Sequence, residues 1–378
     1  MPMVHRPTSI EDLCAVFQRM GSERRILRGG GTQFADDCER DGDVTQVVDL
    51  STLDGVIEHR AGDLVVRARA GTTIDVLQRE LADRGQRWPL GVAASDRSTL
   101  GGLLATDARS ARTLRYGRAR DWVLGSTLVR SDGKAVRAGG SVVKNVSGYD
   151  LTKLYIGSFG SLGALVEVSL KLDPLPESTR VLRMELADLP NSFAELYRPR
   201  TTLSAALERD HLVHLLFEGT MAAVDRDVRE VTAALPRATL EPTPERFDRR
   251  GPCFGAAWLR LRIELPLRAE STLLPSLRAS VKPAAFEAHL GCGVAWLVWP
   301  EPATAAAREI LARATQLSAS HGAWTAVEMS AEPLDALPGP HPATLLELND
   351  RIKRAFDPDG LLPPGPLRAQ APRPRVRA

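Results

Sequence analysis

Three consecutive glycines, Gly29-Gly30-Gly31, follow the apolar pair Ile26-Leu27 and open onto Thr32 and Gln33. Without a Cβ, successive backbone N–H groups can turn inward and approach an anion closely, so such a run suits a diphosphate. A glycine triplet alone is more often a plain turn. Two further glycine-rich stretches strengthen the reading, Ser98-Thr99-Leu100-Gly101-Gly102 and Gly157-Ser158-Phe159-Gly160-Ser161-Leu162-Gly163. Three such stretches in one half of a chain imply a large cofactor lying along backbone.

The chain's 378 residues, 43% of them hydrophobic, can hold two domains with sizeable cores. A formal net charge of +2 provides no field for nucleic acid. Cys14, Cys38, Cys253 and Cys292 are scattered, with no CxxC pair and no metal-site spacing. They read as reduced thiols of a cytosolic protein, without an iron–sulfur cluster in this chain. The N-terminus has no basic-then-apolar leader pattern, and no apolar run approaches the ~18 residues of a membrane span.

From Thr8 to Met20, Leu13, Val16, Phe17 and Met20 share one helical face behind a Thr/Ser cap. Ile26-Leu27, Val47 to Leu50 and Leu64 to Ala68 read as short strands, and Thr72 to Arg84 as a helix capped by Thr72 or Thr73. Val123 to Val136 alternates around Ser131-Asp132-Gly133-Lys134, a hairpin pattern. Asp150 to Ile156 reads as a short helix, and Ala164 to Leu172 as a strand ending at Pro174 and Pro176, which mark a domain boundary.

Beyond that boundary, strand-like runs (Arg180 to Leu186, Ala205 to Phe217, Ala256 to Glu264, Val294 to Val298) alternate with helix-like ones (Ser192 to Tyr197, Ala222 to Leu235, Thr304 to Leu317). The pattern fits an antiparallel sheet covered by helices. Pro333 to Pro342 is a proline-rich linker, Leu345 to Phe356 an amphipathic helix, and Pro366 to Ala378 a basic tail too poor in apolar residues to order itself.

Arg28 to Gln33, Thr99 to Ala105, Arg115-Tyr116-Gly117 and Asp121 to Gly125 together resemble the FAD-binding domain of the vanillyl-alcohol oxidase/p-cresol methylhydroxylase (PCMH-type) superfamily. Within it, Lys144 to Leu154 and Gly157-Ser158-Phe159-Gly160 resemble the glycolate oxidase FAD-binding subunits of type E. The more common relatives carry an acidic residue where Phe159 stands, which favours type E over the catalytic type D. Ala355 to Gly365 resembles the closing motif of the same family, with Pro363 where members usually have asparagine.

The resemblance implies an α+β chain: a PCMH-type two-subdomain FAD-binding fold over 1–175, and an α/β cap domain with an antiparallel sheet over 176–340. A C-terminal helix and closing motif over 341–366 return to the FAD domain, and 367–378 form the disordered tail. Gly29, Gly30, Gly31, Thr32 and Gln33 would hold the FAD pyrophosphate, with Thr99, Gly101, Gly102 and Ala105 lining the other side. Gly157, Gly160, Gly163 and Leu165 would run beside the adenosine and ribityl portions, while Tyr116 and Gly117 approach the flavin ring. The plainer alternative, which three stretches matching in order disfavour, is that Gly157, Gly160 and Gly163 merely permit a helix to pack on a sheet. Covalent relatives often carry histidine or cysteine in the first loop, so Thr32 and Gln33 imply non-covalent FAD.

Oxidising a 2-hydroxy acid requires a base near the flavin and a cation for the carboxylate. The clustered Arg109, Arg112, Arg115, Arg118 and Arg120 suit a carboxylate or phosphate, or equally a solvated surface or a partner contact; Arg115 is the preferred substrate contact because it belongs to the Arg-Tyr-Gly match. Catalytic relatives carry His-x-Gly-Asp-Gly-Asn-x-His. The nearest segment here, His289 to Trp296, keeps one histidine, so no metal site is expected and the catalytic residues stay unassigned. His211 and His214 would share a face on a helix but oppose each other on a strand. Asp36, Asp37 and Glu39 read as solvated loop carboxylates, and the six tryptophans as core.

The resemblance thus implies an FAD-binding subunit of a glycolate oxidase-like complex. A partner catalytic flavoprotein subunit would oxidise a small 2-hydroxy acid, glycolate to glyoxylate, and an iron–sulfur subunit would accept electrons. The expected location is cytoplasmic, peripheral at the inner face of the membrane through partners. The alternatives are a stand-alone FAD-dependent dehydrogenase of glycolate or D-lactate, and a structural subunit without catalysis.

Overall fold

Residues 3–32, 46–90, 96–140, 150–189, 201–241, 257–301, 307–330 and 343–363 are described by a computed structural model of the chain. Gln33, the carboxylates at 36, 37 and 39, most of the 144–154 motif, the run 192–197, the linker 333–342 and the tail lie outside the described residues. Contacts divide the chain into two units. One comprises Met1–Ala108, Arg118–Leu175 and His341–Ala369; the other comprises Arg109–Gly117, Pro176–Pro340 and Gln370–Ala378. The short run Arg109–Gly117 therefore groups with the second unit although its flanks belong to the first.

In the first unit, the helix Ile10–Met20 starts at Ser9, whose side chain accepts from the Asp12 N–H at 3.0 Å. Leu13, Val16, Phe17 and Met20 are its buried residues. They pack with Val48 of a three-stranded parallel sheet (Met3–His5, Gln46–Asp49, Arg25–Arg28) and with Val129, Ala164 and Val166 of a five-stranded antiparallel one. The strand order of the latter is Val56–Arg60, Val65–Arg69, Ala164–Lys171, Val123–Val129, Ala135–Gly139. Arg25 is buried across the end of the N-terminal helix: its guanidinium donates to the carbonyls of Phe17 and Gly21, answering the unpaired oxygens of the last turn. Thr73 caps the helix Ile74–Ala82, while Thr72 bonds Gly55.

An eight-stranded antiparallel sheet forms the second unit, in the order Thr239–Leu240, Ser178–Glu185, Leu212–Gly219, Leu203–Arg209, Ala285–His289, Val294–Trp299, Leu259–Glu264, Trp324–Ser330. One face is apolar. Leu182, Leu215, Leu261, Ala295 and Leu297 are fully buried there with Val224, Leu273, Leu277 and Ala314 of the helices Met221–Ala234, Glu270–Val281 and Ala307–Ser320. The run Ala205 to Phe217, which reads as one strand, is two: Asp210 and His211 both have positive φ (46° and 72°) and reverse the chain. His211 thus sits in the turn, and only His214 lies on a strand, 3.3 Å from Glu241. The helix Glu270–Val281 carries Pro275 in its interior, which hides it from a reading of propensity. Among the described residues no helix is long and apolar enough to cross a membrane.

Candidate functional site

The parallel strand Arg25–Arg28 leads directly into the glycine triplet. A Cβ built on Gly30 would stand 1.6 Å from the carbonyl oxygen of Arg97, and one on Gly29 2.3 Å from Oγ1 of Thr99. Glycine is demanded at both positions by the approach of two stretches of chain. Gly31 differs: the space around it is open, and its φ of +66° is the reason for glycine. Among the described residues, the N–H groups of Gly29, Gly30 and Gly31 find no acceptor. Donors left so are what a backbone anion nest needs, and the triplet fits a diphosphate on this ground.

Facing the triplet, Ser98-Thr99-Leu100-Gly101-Gly102 proves to be the start of a helix, Leu100–Thr106, rather than a loop. Thr99 is its cap and accepts from the Gly102 N–H at 3.2 Å. Gly101 is pressed against Ala70, donating to its carbonyl at 2.7 Å, with 2.8 Å between a built Cβ and the alanine methyl. The Thr32 and Ser98 hydroxyls meet at 3.1 Å, and Arg97 Nη2 donates to Gly30 O at 3.3 Å. Between these elements lies a cavity of ≈ 250 Å³, lined by Gly30, Asp54, Thr72, Thr73, Arg97 and Thr99 among others.

The third glycine-rich stretch is fastened to the other end of the same helix. Gly157 and Phe159 donate their N–H groups to the carbonyls of Leu104 and Ala105, at 3.0 and 2.8 Å. Gly157, Gly160 and Gly163 have φ of +77°, +73° and +153°, and Phe159, at +56°, is an L residue in left-handed backbone. Leu165 follows, buried near the start of the strand Ala164–Lys171. A single seven-residue helix thus gathers all three stretches, the first two at its N-terminal end and the third at its C-terminal end. No spacing rule in the sequence announces that helix.

Arg115, Tyr116 and Gly117 are built into the second unit. Arg115 Nη1 donates to Thr202 O at 3.3 Å, to Ser204 Oγ at 3.2 Å and to Glu218 O, and its guanidinium lies over the Tyr116 ring. Tyr116 OH donates to Glu218 Oε2 at 3.4 Å. Arg112 pairs with the same carboxylate at 3.3 Å, both side chains being buried, and Arg109 pairs with Glu264 at 2.8 Å. Arg118, back in the first unit, pairs with Asp107. Four of the five clustered arginines thus have carboxylate or carbonyl partners within the protein.

On the sheet, the direct pairs Arg209↔Glu287 and Glu287↔Trp296 put three side chains on one face. His289 shares it, with Nε2 3.3 Å from Glu287 Oε1 and its ring edge-on to Trp296. Burial works to raise the Glu287 carboxyl, but His289 and Arg209 outweigh it and hold the group below the usual range. The segment after His289 is a hairpin turn. Gly291 and Gly293 donate their N–H groups to the Glu270 carboxylate, whose pKa burial nevertheless raises. Burial, with the charge of Glu270, pushes the Cys292 thiol up to about 12, too high for a nucleophile at neutral pH. Among the described residues no group of three His, Cys, Asp or Glu side chains comes together as a metal site. Trp88, Trp258, Trp296 and Trp299 are buried, as expected of core tryptophans; Trp122 and Trp324 are half-buried.

Residues 1–139 match the family model of the FAD binding domain. The chain is similar to glycolate oxidase subunit GlcE of Escherichia coli (strain K12), 27% identical across 86% of this chain and 88% of that one. It is 33% identical to glycolate oxidase subunit GlcD of Bacillus subtilis (strain 168), across 43% of this chain and 35% of the relative. A D-2-hydroxyglutarate dehydrogenase of Xanthomonas citri pv. viticola is 32% identical across 47% of this chain and 38% of its own length. An alkyldihydroxyacetonephosphate synthase structure superposes with a TM-score of 0.68, covering 95% of this chain and 76% of that one at 14% identity, which shows a shared fold. The α+β, PCMH-type architecture expected from the sequence is the architecture of the chain, and its cofactor is FAD.

Proposed function

We propose that this chain, a flavoprotein of the PCMH-type fold, is the FAD-binding subunit of a glycolate oxidase-like complex that oxidises a small 2-hydroxy acid. One observation carries the reading. Similarity to the E subunit runs through 88% of that relative, whereas similarity to the D subunit and to the hydroxyglutarate dehydrogenase stops at 35% and 38% of theirs. In this proposal a catalytic flavoprotein partner oxidises glycolate to glyoxylate, and an iron–sulfur partner takes the electrons. The assembly is cytoplasmic, held peripherally at the inner membrane face through those partners.

Bound FAD supplies a two-electron acceptor for oxidation of a CH–OH group. The triplet Gly29-Gly30-Gly31, with Thr32 and Gln33, holds the pyrophosphate by N–H groups, without a covalent link. Thr99, Gly101, Gly102 and Ala105 present the opposite wall, and Gly157, Gly160, Gly163 and Leu165 lie along the adenosine and ribityl portions. Tyr116 and Gly117 are assigned to the flavin ring. Arg115, whose Nη1 is held by protein acceptors, offers Nη2 to the substrate carboxylate. Residues 176–340, the main part of the second unit, form the substrate-side domain.

The test is to purify the chain alone and record the flavin band near roughly 450 nm. Glycolate is then added without oxygen, and the D-type partner afterwards. Bleaching only after the partner is added supports the proposal. Bleaching by glycolate alone makes the chain a self-sufficient dehydrogenase, and a chain that takes up no FAD is a structural subunit.

A further inference from the structure

The helix Ala343–Phe356 ends in a tightly bonded turn of the first unit. Asp357 is 1% exposed, and its carboxylate accepts the N–H groups of Leu361 and Leu362 at 3.0 and 2.9 Å. Lys353, one turn earlier, pairs with that carboxylate and also donates to Leu362 O at 3.2 Å. Its remaining bond goes outside the turn, to the carbonyl of Ser161 at 2.8 Å, 192 positions away in sequence. The ammonium's three N–H groups match these three acceptors. Tyr155 and Phe356 add an edge-to-face contact beside it, centroids 5.8 Å apart.

Ending a helix does not require a buried ion pair; a C-terminal glycine satisfies the last carbonyls without desolvating two charges. The bond to Ser161 is what the pair adds. Ser161 lies in the Gly157–Gly163 stretch, whose four positive-φ residues include Phe159, where an L side chain costs on the order of 1 kcal/mol. Such a conformation persists only if its surroundings hold it. The carbonyls of Leu104 and Ala105 hold the stretch through the Gly157 and Phe159 N–H groups, and Lys353 holds it through the Ser161 carbonyl.

We infer that Lys353 and Asp357 are positioning residues for the cofactor: through the Ser161 carbonyl they fix the stretch along which FAD is proposed to lie. This rests on the proposed placement of FAD. The experiment titrates the full chain, freed of flavin, with FAD, and records the visible circular dichroism of the bound flavin. The variants are Lys353→Met and Asp357→Asn, with Lys353→Arg as the conservative form. Leu277→Ala, in the helix-covered core of the second unit, is the control for general destabilisation.

Both disruptive variants are expected to weaken FAD about tenfold or more beyond the control, after matching for loss of apo melting temperature, and to change the flavin dichroism. Lys353→Arg should recover part of both. Affinity and dichroism equal to those of Leu277→Ala overturn the inference while leaving the FAD site standing. Failure of both variants to fold makes the pair a fold-holding element and also overturns it. A wild-type chain that takes up no FAD removes the proposed function and this inference together.

Discussion

In the first unit, Gly29, Gly30 and Gly101 set peptide groups directly against neighbouring chain; in the second, Arg112 and Glu218, or Arg209 and Glu287, set charge against charge on a sheet. Backbone positions of the first kind admit no side chain, so they leave a local trace in sequence, a run of glycines. Ion pairs of the second kind join residues far apart, 106 positions in the case of Arg112 and Glu218, and neither member marks the other. In the first, the N–H groups of Gly29 and Gly30 find no acceptor among the described residues, which leaves them to the proposed FAD diphosphate. The second returns its charges to one another, which suits scaffolding better than binding.

The largest expected effect is at the glycine contact. Gly30→Val places a side chain on the Arg97 carbonyl and should cost on the order of 4 kcal/mol of apo stability, with flavin lost as well. Gly31→Ala sharpens the point, because its Cβ meets open space and carries only about 1 kcal/mol of backbone strain. A fall in FAD affinity beyond tenfold there, with the apo melting point almost unmoved, assigns that space to the cofactor.

Breaking a charge pair of the second unit comes next. Arg112→Met leaves Glu218 buried and should lose about 3 kcal/mol in calorimetry while flavin content stays at wild-type level. Loss of flavin in step with stability would erase the distinction between the units.

Asp227 offers a smaller test through pH. Burial works to raise its carboxyl, but the Thr202 N–H and the Arg226 guanidinium outweigh burial and hold it below the usual carboxylate range. A depressed folded pKa stabilises above the unfolded value of about 3.9, and the gain disappears as pH falls through the folded value. Asp227→Asn should therefore cost about 1 kcal/mol at neutral pH and nothing near pH 2, measured by urea unfolding. A cost unchanged across that range would mean the charge is irrelevant. Smallest of all, His289→Ala should leave turnover of the assembled complex within a few-fold. A collapse with flavin content intact would make His289 catalytic.

Much of the first unit was legible. Leu13, Val16, Phe17 and Met20 announced the N-terminal helix by spacing, and the glycines at 29, 30 and 101 announced places where chain approaches chain closely. The helix that joins the three glycine-rich stretches was not legible, because glycine at 101 and 102 argues against helix when propensity is read alone. Its stability comes from the Thr99 cap and from Ala70, a tertiary neighbour. Lys353 was hidden for a related reason, since a lysine on an amphipathic helix reads as solvated until Ser161 is found beside it. In the second unit, Arg115 belonged to a recognisable motif, yet its partners Thr202 and Ser204 carried no signal.

The strand that feeds the glycine triplet is closed at its start by the Arg25 N–H, which donates to the carbonyl of Leu361 at 2.9 Å. Synthesis runs from the N-terminus, so the triplet emerges from the ribosome long before the residue that pins its strand. Until Leu361 is made, the first unit holds its glycine stretches without their final brace. In the proposed FAD site, any loading that depends on this brace follows the synthesis of Leu361, and a chain stalled or cut before that residue keeps the glycine stretches without it.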